Sequence, residues 1–267
     1  KFHSMPNILA QIIAEKRKEV DRNKHLLPIE QLASLIIDNG PRVRFYEQVA
    51  AGKELHVISE FKRKSPSKPL LNATADVKKI SGEYELAGAS ALSILTDGPY
   101  FGGSAADLKA AREVTTLPVL RKDFIIDPYQ VYESKMMGAD LILLIAEVLE
   151  GPIISQLTHL AHQLGLEVIL EMHSKSHLSK IPNEIDFVGI NNRDLRTFTT
   201  DIHCSLEMAR FLPHSAYWIS ESGIHTAEQA HRLADAGYRA FLVGEQFMKT
   251  EHPGETCQHF VQQINRR

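Results

Sequence analysis

From about residue 55 onward the chain repeats one pattern: a short apolar run, a polar loop, then a longer amphipathic stretch. Eight such runs occur, at His56-Val57-Ile58-Ser59, Ala91-Leu92-Ser93-Ile94-Leu95, Pro118-Val119-Leu120, Leu141 to Ile145, Val168-Ile169-Leu170, Phe187-Val188-Gly189-Ile190, Tyr217-Trp218-Ile219 and Ala240-Phe241-Leu242-Val243. Most are continuous rather than alternating, as expected of parallel strands covered on both faces. The residues closing the runs, Glu60, Thr96, Lys122, Ala146, Glu171, Asn191, Glu221 and Gly244, lie between 20 and 36 positions apart, room for a strand, a helix and two loops. Helical spacing fills the intervals at Asp76 to Leu86, Ala105 to Thr115, Pro128 to Met137 and Ile153 to Leu164. Gly88, Gly138 and Gly165 punctuate three of these ends.

Upstream, residues 7 to 23 place Ile8, Leu9, Ile12, Ile13 and Val20 at helical spacing. A second helix is expected over Ile29 to Ile37, stopping at Asn39-Gly40-Pro41, and a third over Phe45 to Ala51. The four residues before Met5 read as an appended remnant. The expectation is one TIM (β/α)8 barrel domain over 1–267, with a helical extension over 1–50 and eight βα units over 55–250. The rival is an open doubly wound sheet, which gathers its site at a single switch point. Here nearly every strand end carries a polar group, which favours closure.

Composition narrows the class. With 30 Lys+Arg against 33 Asp+Glu, a formal net charge of −3 and 43% hydrophobic residues, the chain reads as globular rather than disordered. The longest aliphatic stretch, Leu141 to Ala146, is far short of the ~20 residues that span a bilayer. Neither a membrane nor nucleic acid is an expected partner. The two cysteines, Cys204 and Cys257, make no CxxC pair and are expected to pack in helices, so a reducing cytoplasm is the expected setting. His159-x2-His162 and His173-x3-His177 have helical ligand spacing but lack the HExxH pattern and further clustered ligands, so no metal is expected. GxGxxG and GxxxxGK[ST] are absent, and no nucleotide cofactor is expected.

The strand ends hold the candidate chemistry. Alternation along a strand puts Glu60 and Lys62 on one face and Phe61 on the other; the competing reading is a solvated run of Lys62, Arg63, Lys64 and Lys68. Of Arg121 and Lys122 one must face the barrel interior. A lysine there loses solvation, so its pKa is expected to fall; alternatively both are surface cations. Glu171 closes an apolar strand, where a lone charge is costly and must be paired or functional. Asn191 and Arg193 share a face, although Arg193 can instead pair with Asp194. Glu221-Ser222-Gly223-Ile224 and Val243-Gly244-Glu245 follow the last two strands, where barrels commonly hold a phosphate.

Taken together, ISEFKRKSPS, LSILTDGPYFGGS, PVLRKDF, DLILLIAEVL, LEVILEM, VGINNRDL, ISESGIHT and FLVGEQFM, in this order from about Ile8 to Met248, resemble the indole-3-glycerol phosphate synthase family. The resemblance implies a carboxy-lyase of tryptophan biosynthesis. Its small-molecule substrate would be 1-(2-carboxyphenylamino)-1-deoxyribulose 5-phosphate, converted without metal or cofactor to indole-3-glycerol phosphate, carbon dioxide and water. It implies Lys122 as general acid, Glu171 and Glu60 as carboxylates that remove protons and stabilise a cationic intermediate, and Lys62 at the substrate carboxylate. Asn191 joins this catalytic set. Ser65, Phe101, Phe124, Arg193 and Ser222 match positions that contact substrate, and Gly223, Gly244 and Glu245 match the phosphate end. The N-terminal helix resembles the family's extension over the barrel mouth. A monomer is expected, with weak association with other enzymes of the pathway left open. Two departures are Pro69, where many relatives have Gly, and Gln246-Phe247 at the edge of the phosphate site, where Ser-Leu or Ala-Leu is more usual.

Alternatives are a phosphoribosylanthranilate isomerase, which would need a thiol and no Cys closes a strand here, and a barrel that binds a sugar phosphate without turning it over.

Overall fold

The computed structural model describes residues 8–36, 44–52, 54–65, 71–72, 74–194 and 199–266. Three helices come first: α1 (Ile8–Leu26), α2 (Ile29–Ser34) and α3 (Phe45–Ala51). The barrel then runs β1 (His56–Phe61), α4 (Val77–Leu86), β2 (Ala91–Leu95), α5 (Gly98–Phe101), α6 (Ala105–Arg112), β3 (Val119–Lys122), α7 (Pro128–Met137), β4 (Leu141–Ile145), α8 (Gly151–Gln163) and β5 (Glu167–Met172). It continues with a 3-10 helix (Lys175–Lys180), β6 (Phe187–Asn191), α9 (His203–Met208), β7 (Tyr217–Glu221), α10 (Ala227–Asp235), β8 (Ala240–Val243), α11 (Glu245–Met248) and α12 (Pro253–Ile264). The strands close into a barrel in sequence order, β1 pairing in parallel with both β2 and β8. Closure removes the open-sheet alternative.

All eight apolar runs are strands, because each is sealed on both faces. Ile58, Leu120, Leu141, Leu143, Ile169 and Ile219 fill the lumen, while Val57, Phe61, Leu92, Ile142, Val168 and Val188 face the helices. Alternation then dictates which polar groups reach the mouth: Ile58 and Glu60 share the inner face of β1, and Glu167, Ile169 and Glu171 that of β5. At the floor of the barrel, Glu167 accepts the backbone N–H groups of Phe45 and Tyr46, both at 3.0 Å. This caps α3, whose Phe45 packs on Phe187 with centroids 5.1 Å apart.

The structure departs from the sequence reading in places. The connection between β5 and β6 holds a 3-10 helix, its first turn capped by Ser174, in place of an α-helix. α6 ends at Arg112 rather than Thr115, and α8 starts at Gly151 with Pro152 in its first turn, where proline lacks no needed donor. α12 was not anticipated; Gly254 lets it approach α4, since a Cβ there would lie 2.6 Å from Glu83 Cβ. Residues 1–4, Asn39-Gly40-Pro41, Lys68 and Pro69 lie outside the described residues. No helix among the described residues is long and apolar enough to cross a membrane.

Candidate active site

The ends of β1, β3, β5 and β7 converge on one buried charge cluster. Lys122 Nζ lies 2.9 Å from Glu171 Oε2 and 3.5 Å from Glu221 Oε2. Lys62 Nζ donates to Glu60 Oε1 at 2.7 Å, and Ser93 Oγ to Glu60 Oε2 at 3.3 Å. Asn191 Nδ2 donates to Glu171 Oε1 at 3.2 Å. Two glycines make room: a Cβ at Gly244 would lie 2.7 Å from Glu60 Oε1, and one at Gly189 2.4 Å from Glu221 Oε1. Arg121 points outward to the α7 carbonyl of Gln130 and to Ser134 Oγ, so Lys122 is the inward cation and neither is a surface charge.

The titration of the cluster corrects one expectation. Burial alone would lower the Lys122 pKa, but the carboxylates of Glu171, Glu221 and Glu60 outweigh it and raise the pKa above the ordinary lysine value. The sequence displays the burial of that lysine but not how many acids meet it. Burial likewise works to raise Glu60 and Glu171; Lys62 and Lys122 overcome it for Glu60, and Lys122 for Glu171, so both fall below the usual carboxylate range. Glu221 goes the other way, held well above that range by burial and by Glu171 beside it.

The cavity above this cluster is lined by Glu60, Lys62, Ser65, Phe101, Lys122, Phe124, Glu171, Asn191, Arg193, Glu221 and Ser222, and roofed by Ile8, Leu9 and Ile12 of α1. Phe101 and Phe124 sit with ring centroids 6.0 Å apart at 41°, a pair able to hold a flat ring. Gly223, Gly244 and Glu245 border the cavity without lining it. Glu245 Oε2 accepts from Arg193 Nη2 at 3.1 Å, Gly244 packs on Glu60, and Gly223 follows Ser222, which holds a left-handed φ of 68°. Phe247 is buried between Tyr84 and Phe260, with centroids 5.9 and 5.8 Å away. It therefore belongs to the core and not to the phosphate edge where the sequence reading put it.

Glu221 was read only as part of a phosphate loop, although it closes an apolar strand just as Glu171 does. That shared signal would have found it. The histidine pairs are structural: His173 Nδ1 lies 2.7 Å from the Asn191 carbonyl, and His162 Nε2 is 2.7 Å from Asp186. Among the described residues no group of three or more His, Cys, Asp or Glu side chains is placed to hold a metal ion. Cys257 is buried in α12 and Cys204 lies on α9.

The sequence model described as indole-3-glycerol phosphate synthase matches residues 9–260. The chain belongs to that family. It is 49% identical to the indole-3-glycerol phosphate synthase of Bacteroides thetaiotaomicron over 260 residues, covering 97% of this chain and 100% of the relative. The indole-3-glycerol phosphate synthase of Koribacter versatilis is 38% identical over 261 residues, covering 96% and 100%. Indole-3-glycerol phosphate synthases are carboxy-lyases. Solved structures share the barrel alone. Tryptophan synthase subunit alpha from Legionella pneumophila aligns at TM-score 0.59 and 13% identity over 83% of this chain and 95% of its own. The 3-hexulose-6-phosphate synthase of Salmonella typhimurium aligns at 0.62 and 13% over 79% and 98%.

Proposed function

We propose that this chain carries out its family's ring closure with Lys122 as the general acid and Glu171 as the principal base. The observation that carries this reading is the 2.9 Å contact between Lys122 Nζ and Glu171 Oε2 at the floor of a cavity flanked by two phenylalanines. The ring carbon bearing the carboxylate attacks the ribulose carbonyl while Lys122 protonates its oxygen, forming the carbon–carbon bond and a hydroxyl. The nitrogen becomes a cationic iminium, which the carboxylates of Glu60 and Glu171 stabilise. Carbon dioxide leaves, its bonding pair returning to the ring. Glu171 then takes a proton from the carbon beside nitrogen, and its contact lets that proton pass back to Lys122, which protonates the departing hydroxyl. One proton per turnover comes from solvent, because a carboxylate leaves as neutral carbon dioxide.

The remaining assignments follow from charge and position. Lys62 serves the substrate carboxylate, and Asn191 orients Glu171. Ser65 and Ser222 contact substrate, Phe101 and Phe124 clamp the aromatic ring, and Arg193 meets an anionic end. Gly223, Gly244 and Glu245 form the phosphate end. No metal or cofactor enters any step. The reading carries with it a single-domain enzyme working as a monomer in the cytoplasm.

Incubating purified protein with 1-(2-carboxyphenylamino)-1-deoxyribulose 5-phosphate in EDTA and following indole-3-glycerol phosphate fluorescence tests the reading. Product should form at an undiminished rate. No product, or product only after a divalent metal is restored, contradicts it. Gel filtration of the same sample should give a monomer.

A further inference from the structure

A lysine on the inward stripe of a helix is costly unless it is paired, and α1 carries one. Lys16 follows Ile12 by one turn and precedes Val20 by one turn, and it is 1% exposed. Its Nζ lies 3.0 Å from Asp123 Oδ1, 3.3 Å from Asp97 Oδ2 and 3.0 Å from Glu19 Oε2. Both aspartates are structural pivots of the cavity. Asp123 sits between Lys122 and Phe124; its Oδ1 also accepts the Phe124 N–H at 2.8 Å, and its Oδ2 accepts from Arg121 and Thr96. Asp97 Oδ1 caps α5 by accepting the Tyr100 N–H at 2.9 Å, and α5 ends on Phe101.

One ammonium therefore joins three elements that each supply a wall of the cavity: α1 with its roof of Ile8, Leu9 and Ile12, the β2 end with Phe101, and the β3 end with Lys122 and Phe124. We propose that Lys16 is a positioning residue for ring closure, holding the α1 roof and the Phe101–Phe124 clamp in register over Lys122. The proposal rests on the clamp and acid assignments made above.

Apolar packing alone does not set that register. Sliding α1 by one residue moves it 1.5 Å and turns it about 100°, which an aliphatic stripe partly tolerates but a contact with the carboxylates of Asp97 and Asp123, both outside α1, does not. Burial works against the Lys16 charge, yet Asp123, Asp97 and Glu19 more than restore it, so the ammonium stays charged. The far end of α1 is secured independently: Lys24 pairs with Asp127 at 2.6 Å, and Tyr129 OH donates to the carbonyls of Asn23 and Leu27. Loss of Lys16 should thus free the half of α1 over the cavity and leave the barrel folded.

The experiment compares Lys16→Met and Lys16→Arg with wild type in steady-state kinetics, thermal melting and limited trypsin digestion. K16M should raise KM at least tenfold with a smaller fall in kcat, and trypsin should cut it faster after Arg17 or Lys18, while the barrel stays folded at the assay temperature. K16R should recover most of the loss, which a cavity-filling role would not allow. A folded K16M with KM and kcat both within twofold of wild type overturns the proposal. If K16M does not fold, Asp97→Asn decides, since asparagine still caps α5 but removes a charge facing Lys16: a KM raised severalfold supports the tie, and an unchanged KM overturns it. Phe124→Ala in parallel separates the two levels of argument. If F124A raises KM and K16M does not, only the Lys16 tie fails; if neither does, the clamp itself is wrong.

Discussion

Lys122 and Glu171 stand 2.9 Å apart although 49 residues separate them and β4 lies between their strands. They meet because both point into the lumen, at the ends of β3 and β5, and the barrel's curvature brings alternate strands together above a core layer of Leu143 and Ile169. An acid and a base in contact can exchange the proton that each half of the reaction needs.

Replacing Glu171 with Gln keeps volume and the Asn191 contact but removes the base. We expect kcat to fall by on the order of 10²–10³, with KM within about threefold. Steady-state kinetics on E171Q checks this; a KM rise with unchanged kcat would recast Glu171 as a binding group.

The charge state of the cluster should persist across a wide pH span. Glu60 and Glu171 are held below the ordinary carboxylate range and Lys122 above the ordinary lysine value. The kcat profile should therefore be flat from about pH 6 to about pH 9, with no limb in that window from these three groups. A bell with a limb near neutrality would place the acid or base elsewhere.

Arg193 is paired with Glu245 at 3.1 Å, at what we propose is the phosphate end. An incoming dianion must compete with that carboxylate, so Glu245→Gln should lower KM severalfold and Arg193→Ala should raise it. Measuring both variants at two salt concentrations tests this, because the charge effect should shrink as screening rises.

Glu167 at the barrel floor has a pKa pushed up to about 7, mainly by burial. The folded state therefore binds a proton that the unfolded state, with a carboxyl near 4.5, has released. Stability from this group is full at low pH and declines as pH rises from about 4.5 to about 7, by up to about 3 kcal/mol. Melting temperatures of wild type and Glu167→Gln at pH 5 and pH 8 should show a larger fall for wild type.

Much of this architecture was legible along the chain because parallel strands sealed on both faces leave unbroken apolar runs, and the polar residue closing each run falls at the mouth. Glu60, Lys122, Glu171 and Asn191 follow from that rule. The direction of the Lys122 titration did not, since one strand's sequence is silent about the acids arriving from β1, β5 and β7. Lys16 was hidden for a related reason. Along the chain it stands in a charged run with Arg17, Lys18 and Glu19, and although its spacing from Ile12 and Val20 is that of the buried stripe, its partners Asp97 and Asp123 lie more than 80 residues on. Phe101 and Phe124 are placed at the substrate by the family resemblance, but their mutual geometry, with centroids 6.0 Å apart at 41°, depends on how the ends of β2 and β3 sit side by side and cannot be read along the chain.

The central claim, that Lys122 delivers the protons, is tested most directly by a single-turnover measurement on Lys122→Met with excess enzyme and fluorescence detection of product. The account predicts a rate lower by on the order of 10³ or more, with substrate still bound within about tenfold of the wild-type affinity. A folded K122M that forms indole-3-glycerol phosphate within tenfold of the wild-type rate would contradict it.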